Sequence, residues 1–493
     1  MLKNDNHSKK PQEKKRTGIS LSFIIPLANT RFLFYFNSMT LDNLQNKKIA
    51  LLGLGVENYA LLKFLLAKKV KAHFIICDQR SPKLLGDKFK ELNRFDNVVW
   101  QLGKEFNKKL SRYDVLFRSP GWPLHCSGIT EAKKYNKKII ITSPMKLFFD
   151  ISPTKNIIGV TGTKGKGTTS SLICDILKIA KKRVWLGGNI GVAPFAFISK
   201  VKLKDWVVLE LSSFQLEDMN KSPRIAVMTN FTLEHQSPAD PNNPNFHYTL
   251  ADYFKAKLNV WLWQTRSDYL VVNDKLQDRI LNLDFLPRSE AGVILKQINN
   301  KKIYFQKSEL PSNLVGEHNK ENIAAAEAVA KIIGIKKELV AKAVKNFKGL
   351  EHRIELVREL KGVKYYDDSF ATTPESAVIA LKSFPQPIVL LAGGADKGAD
   401  FKIFATTIKK RVKFICLLKG KATPRLKREI IKAGFIKKQI KEFTNIKQAV
   451  KVASKQARFG DIVLLSTACA SFGMFKSYKQ RGDLFKEAVK QLK

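Results

Sequence analysis

The sequence predicts an α/β protein of three domains: an N-terminal Rossmann-like domain, a central P-loop ATPase-type parallel sheet, and a C-terminal Rossmann-like domain. Three observations carry this expectation. Short apolar runs alternate with helix-like segments along the chain. Many of those runs end in Gly-rich or acidic turns, as strands of a doubly wound sheet do at their functional edge. The length of 493 residues suits about three domains.

Residues 1–38 stand apart. Lys9-Lys10 and Lys14-Lys15-Arg16 precede broken apolar runs around Phe23-Ile24-Ile25 and Phe32 to Phe36. A signal or transit segment is one reading. Pro26, Asn29 and Arg31 interrupt the apolar part, and no small-residue cleavage site is clear. The segment is read instead as a disordered or mis-called extension, with Met39 as the functional start.

Residues 39–146 read as a nucleotide-binding domain. A strand, Lys48 to Leu52, meets Gly53-Leu54-Gly55, and a second strand, Phe74 to Cys77, ends in Asp78. This resembles a dinucleotide fold, although Asn58 stands where its third glycine belongs. Asp78 and Arg80 either hold a ribose or uracil and a phosphate, or cap a turn. A later strand, Asp114 to Phe117, leads into Ser119-Pro120-Gly121.

Residues 147–349 read as the central domain. An apolar strand, Asn156 to Val160, enters Gly159-Val160-Thr161-Gly162-Thr163-Lys164-Gly165-Lys166-Gly167-Thr168-Thr169, and a helix follows from Ser170 to Ala180. Strand, Gly-rich turn and helix form the scaffold of a phosphate-binding loop. In it Lys166 supplies mobile charge for the β- and γ-phosphates. Strands Arg183 to Leu186, Trp206 to Leu209 and Ile225 to Thr229 follow. Glu210, at the carboxyl end of the second, is placed either to bind Mg²⁺ or to cap a helix. Glu234-His235 lies beyond the third. A helix, Thr249 to Trp263, carries Lys255 and Lys257, ordinary surface lysines by spacing alone. Gly316-Glu317-His318-Asn319 opens an Ala-rich helix, Asn322 to Ile333.

In residues 350–493 the pattern restarts. Strands Lys364 to Tyr366, Ile388 to Leu391, Phe414 to Leu418 and Ile462 to Leu465 end in Asp367-Asp368-Ser369, Gly393 to Gly398, Lys419-Gly420 and Ser466 to Ser471.

The formal net charge is +44. Lysines are spread along the whole chain and no nucleic-acid-binding module appears, so the charge is read as a Lys-rich bias that attracts anionic small substrates. No nucleic-acid partner is expected. No apolar run approaches the roughly 18–20 residues that span a membrane. The five cysteines form no CxxC pair, which fits a reducing, cytoplasmic setting. A monomer is expected.

Several motifs, in order, resemble those of the Mur ligases of peptidoglycan precursor synthesis. They are Gly162-Thr163-Lys164-Gly165-Lys166, Leu209-Glu210-Leu211-Ser212-Ser213-Phe214-Gln215-Leu216-Glu217, Gly316-Glu317-His318-Asn319, His352-Arg353, Asp368-Ser369 and Ser466-Thr467-Ala468-Cys469-Ala470-Ser471-Phe472. Within that family the second and last runs look most like the members that add D-glutamate to UDP-N-acetylmuramoyl-L-alanine. The resemblance implies ATP and Mg²⁺, an acyl-phosphate intermediate, and attack on it by the amino group of glutamate. It implies that Gly162 to Thr169, Asn319, Asn322, Arg353 and Asp368 bind ATP. It implies that Gly53, Gly55, Asp78, Arg80, Ser119, Gly121, Asn189 and Gln215 bind the UDP-substrate. Thr372, Lys397, Ser471 and Tyr478 match the glutamate pocket. Glu210 and His235 match metal ligands, and Lys257 matches the lysine that is carbamylated in this family, so Lys166, His235, Lys257 and Lys397 carry the chemistry.

Three positions depart from the family pattern. Gly167 replaces a Ser or Thr whose hydroxyl usually meets Mg²⁺, a role that passes to Thr168. Glu234-His235 replaces the usual Asp-His. Phe370 stands where the D-glutamate ligases usually carry a lysine that helps bind the amino acid. Two alternatives therefore stay open, a Mur ligase that adds L-glutamate and a ligase like folylpolyglutamate synthase.

Overall fold

The first sheet is built from β1 (Lys48–Leu52), β2 (His73–Asp78), β3 (Val98–Leu102), β4 (Val115–Arg118) and β5 (Ile140–Thr142). Its order is β3-β2-β1-β4-β5, and every pairing is parallel. In β1 only Lys48 is exposed. Such near-continuous apolar runs need helices on both faces of the sheet, and the helix Val56–Ala67 supplies one cover, with Leu61, Leu62 and Leu65 buried.

The computed structural model describes residues 38–232, 245–277, 300–396 and 398–493. Within it Met39–Lys493 holds together as one unit.

The second sheet contains β6 (Ile157–Thr161), β7 (Val184–Gly188), β8 (Trp206–Glu210), β9 (Ile225–Met228), β10 (Tyr269–Asn273) and β11 (Lys301–Phe305). Its order is β11-β10-β9-β6-β8-β7, again all parallel. Here β6 lies between β9 and β8, with Val160 opposite Glu210 and Thr161 opposite Met228. The strand order reverses at this point, which leaves a crevice outside the carboxyl ends. The third sheet contains β12 (Glu355–Leu360), β13 (Val363–Asp367), β14 (Ile388–Ala392), β15 (Val412–Leu418), β16 (Ile440–Phe443) and β17 (Ile462–Leu465), in the order β12-β13-β17-β14-β15-β16. Only β12 runs antiparallel to its neighbour.

Some element limits differ from expectation. The helix after the phosphate loop begins at Lys166, not Ser170, and the Ala-rich helix begins at His318, not Asn322. The helix expected over Thr249 to Trp263 is only Leu250–Leu258. Thr249 caps it reciprocally with Asp252, and at the other end Asn259 Nδ2 turns to the carbonyl of Leu216 at 2.9 Å. A helix, Pro144–Ile151, runs through the point where the first domain boundary was expected.

One apolar cluster joins the first two sheets. Phe64 meets Phe195 with ring centroids 5.1 Å apart. Arg118, 1% exposed at the end of β4, reaches from the first sheet to the segment that follows β8. It donates to the Phe214 carbonyl at 2.9 Å and to Asp218 at 3.0 Å. All five cysteines are free, and burial pushes the Cys77, Cys416 and Cys469 thiols up to about 12.

Candidate active site

The phosphate loop leaves the carboxyl end of β6 through two glycines with positive φ, Gly162 at 144° and Gly165 at 83°. A Cβ on Gly162 would fall 2.0 Å from Thr229 Oγ1, and one on Gly165 would fall 2.1 Å from Asn322 Oδ1. Both positions exclude a side chain. The Thr163 and Lys164 amides donate to the Asn230 carbonyl at 3.0 Å and side-chain oxygen at 2.8 Å, which ties the loop to the end of β9. Lys166 Nζ donates to the Gly162 and Thr163 carbonyls, each at 3.0 Å. Thr168 and Thr169 lie in the first turn of the helix. Asn322 Nδ2 donates to Asn319 Oδ1 at 2.9 Å, so the two asparagines expected at the nucleotide act as a pair against the loop.

Glu210 reaches this crevice from β8. Its Oε1 accepts from Asn189 Nδ2 at 2.7 Å, while its Oε2 is buried with no hydrogen-bond partner. A buried carboxylate oxygen without a donor, beside a phosphate loop, suits a hard divalent cation. The same Oε2 lies 2.9 Å from a Cβ built on Gly167, and so does Leu350 Cδ1. A serine at position 167 would be crowded, which accounts for the glycine.

Lys257 is not a surface lysine. It is 1% exposed, and its Nζ donates to the Gly162 carbonyl at 2.9 Å, so it shares one acceptor with Lys166. The Nζ also sits 4.6 Å from the Tyr253 ring centroid. Tyr253 Oη in turn lies 3.2 Å from Thr163 Oγ1. His247 stacks on Phe214 and places Nε2 2.9 Å from Ser213 Oγ.

All eight residues expected at the UDP-substrate line one cavity of about 700 Å³: Gly53, Gly55, Asp78, Arg80, Ser119, Gly121, Asn189 and Gln215. Asp78 accepts from the Leu54 amide at 2.8 Å and from Arg80 Nη2 at 2.7 Å. Burial pushes the Asp78 carboxyl up, but these bonds outweigh it and hold the group below the usual carboxylate range. Asn58 replaces the third glycine usefully. Its Nδ2 donates to the Leu52, Gly53 and Phe117 carbonyls at 3.1, 2.9 and 3.1 Å, which clamps β1 to β4.

Asp368, just beyond β13 of the third sheet, is buried and accepts from the Ile354 amide at 3.3 Å. Burial pushes its carboxyl to about 8, although it accepts from Ser466 Oγ at 2.7 Å. Arg353 lies over the Phe370 ring, and Tyr478 meets that ring edge-on with centroids 5.1 Å apart. The Thr372 amide donates to the Phe370 carbonyl at 2.8 Å. Ser471 is buried next to Ala470, whose carbonyl accepts from Ala395 at 2.9 Å. His235 and Lys397 lie outside the described residues.

The sequence reading missed several residues. Glu57 lines the same cavity as those eight residues and bonds to Gln215. Arg481, 0% exposed, donates to Ser369 and to the Cys469 carbonyl, and so frames both C-terminal loops. A lone basic residue in a polar helix gives no sequence signal of such burial. His247 did have one, an aromatic cluster ten residues before Lys257.

A phosphate loop on one parallel sheet, flanked by a ligand cavity and a third α/β layer, defines a nucleotide-using enzyme of several α/β domains. Two family patterns match the chain, the Mur ligase middle domain over residues 160–330 and the Mur ligase glutamate ligase domain over residues 352–469. The chain belongs to the Mur ligase family. It is 34% identical over 472 residues to the UDP-N-acetylmuramoylalanine–D-glutamate ligase of Acetivibrio thermocellus, covering 91% of this chain and 97% of that one. It is 37% identical over 474 residues to the enzyme of the same name from Clostridium acetobutylicum, covering 91% and 98%. Among solved structures it shares the fold of a UDP-N-acetylmuramate–alanine ligase from Thermotoga maritima, with TM-score 0.52, 16% identity and coverage of 91% and 100%. A MurF ligase from Thermotoga maritima in complex with ADP gives TM-score 0.53, 16% identity and coverage of 92% and 97%.

Proposed function

We propose that this protein is an ATP-dependent ligase that joins D-glutamate to UDP-N-acetylmuramoyl-L-alanine in peptidoglycan precursor synthesis. The observation that carries the reading is a shared residue. Asn189 lines the UDP cavity and also holds Glu210, beside the phosphate loop. The acceptor and the phosphoryl donor therefore meet at one carboxylate.

The chemistry follows from the poor electrophilicity of a carboxylate. The terminal carboxylate of the UDP-substrate attacks the γ-phosphorus of ATP, ADP leaves, and an acyl phosphate forms. The glutamate amine then attacks the acyl carbon, loses a proton, and expels phosphate to leave an amide. Two anions must approach, so cationic groups have to neutralise charge in the transition state. Lys166 leaves its loop carbonyls to meet the phosphates. Arg353 adds a second charge from the third sheet. Glu210, with Thr168, His235 and carbamylated Lys257, would hold Mg²⁺, which supplies charge neutralisation at the transferring phosphoryl group. Asp78 and Arg80 orient the uridine end, while Thr372, Lys397, Ser471 and Tyr478 orient glutamate. Three domains follow residue 39, with the first boundary moved past the helix Pro144–Ile151 and the second near residue 350, and the enzyme works as a cytoplasmic monomer.

The test is ATP-dependent ligation of UDP-N-acetylmuramoyl-L-alanine with D-glutamate, L-glutamate and other amino acids, followed by phosphate release and product mass. D-glutamate as the preferred acceptor amine is expected. Exclusive use of another amino acid would overturn the specificity, and ligation of a folate without a UDP-substrate would overturn the acceptor.

A further inference from the structure

Phe370 occupies a position where charge was expected, and its surroundings give it a different task. The Arg353 Cζ atom lies 3.7 Å from the Phe370 ring centroid. At that distance a guanidinium is attracted to the negative face of the ring. The Tyr478 ring meets Phe370 at 88°, which fixes the plane of the platform. The backbone reinforces the contact, because the Phe370 amide donates to the His352 carbonyl at 3.0 Å, one residue before Arg353. Arg353 is itself presented by a strained turn. His352 and Ile354 on either side have φ of 63° and 46°, in the left-handed region that side chains disfavour.

Arg353 also lies beside the phosphate loop. Its Cζ is 3.8 Å from a Cβ built on Gly167, and Glu210 and Asp368 attract its charge. We propose that Phe370 is a positioning residue of the phosphoryl-donor site, whose ring carries the Arg353 guanidinium and sets it against the phosphate loop. The aromatic ring therefore serves the ATP side by placing a charge there. This rests on the ATP-site reading above.

The experiment uses the full chain and five variants: Phe370→Leu, Phe370→Ala, Phe370→Tyr, Arg353→Ala, and Phe370→Leu combined with Arg353→Ala. Steady-state kinetics are measured separately for ATP and glutamate, with ADP affinity by calorimetry. Phe370→Leu is expected to lower kcat/KM for ATP by about 5- to 30-fold, the range of a partly buried cation–π contact. The KM for glutamate should move less than about twofold, by the same partition. Phe370→Tyr keeps the ring face and should restore ATP kinetics to within about twofold. The double variant should be no worse than Arg353→Ala alone, because both remove one interaction. If Phe370→Ala does not fold, the Leu and Tyr variants carry the comparison.

Unchanged ATP kinetics in Phe370→Leu, a loss confined to the glutamate KM, or additive losses in the double variant would overturn the proposal. The two readings fail differently. A parent chain that does not bind ADP rejects the ATP site itself, whereas a parent that binds ADP no better than Phe370→Leu rejects only the platform.

Discussion

Gln215 donates from its side-chain amide to the Glu57 carboxyl, so the helix after the first glycine turn is joined to the segment after Glu210. Glu57 is buried, and burial pushes its carboxyl from 4.5 to about 7, against the pull of Gln215 and Arg118 and with the help of Asp218. Glu217 pairs with the same Arg118. The folded chain therefore keeps a proton that the unfolded chain loses. Its contribution to stability is complete below the unfolded value and is lost as pH rises toward about 7. Glu57→Gln cannot lose that proton. It should flatten the decline of melting temperature between pH 5 and 8, and at pH 8 exceed the parent by about 1–3 kcal/mol. Thermal melts at both pH values decide this, and parallel declines would refute it.

Asn58 is expected to matter more than the glycine it replaces. Asn58→Gly removes one amide from three carbonyls and should cost about 2 kcal/mol. Urea unfolding would register a lower midpoint. A gain in stability would show that the motif glycine suffices here.

Gly167→Ser is expected to harm rather than help. The added atoms meet Glu210 Oε2 and Leu350, and the neighbours must shift. A loss of at least about tenfold in kcat/KM for ATP is predicted, equal to about 1.4 kcal/mol. Activity equal to the parent would mean that the serine is accommodated.

Lys166→Ala should abolish turnover while leaving UDP-substrate affinity within about twofold, because the cavity residues lie elsewhere and lysine acts on charge in the transition state. Calorimetry with the UDP-substrate and a phosphate-release assay separate the two. An active variant would remove Lys166 from its assigned role.

Much of this was legible in the chain. Interior strands such as Lys48–Leu52 and Ile462–Leu465 are continuous apolar runs, and both were placed with the right limits. The two edge strands of the third sheet were not found. In Glu355–Leu360 and Ile440–Phe443 charged residues face solvent in outer positions of the sheet, so their composition reads as loop. The eight residues expected at the UDP-substrate come together in one cavity, and they were legible because turns at strand ends keep local signatures. The burial of Lys257 and Arg481 was hidden for the opposite reason. It is set by residues distant in sequence, such as Gly162 and Ser369.

The Asn189–Glu210 bond has a practical consequence for anyone reading variants of this protein. On the proposed function one side-chain amide serves two ligand sites, so no substitution there is assigned to a single substrate. A change at Asn189 will register in titrations with either ligand, and the order in which the two are added becomes a variable of the assay in its own right.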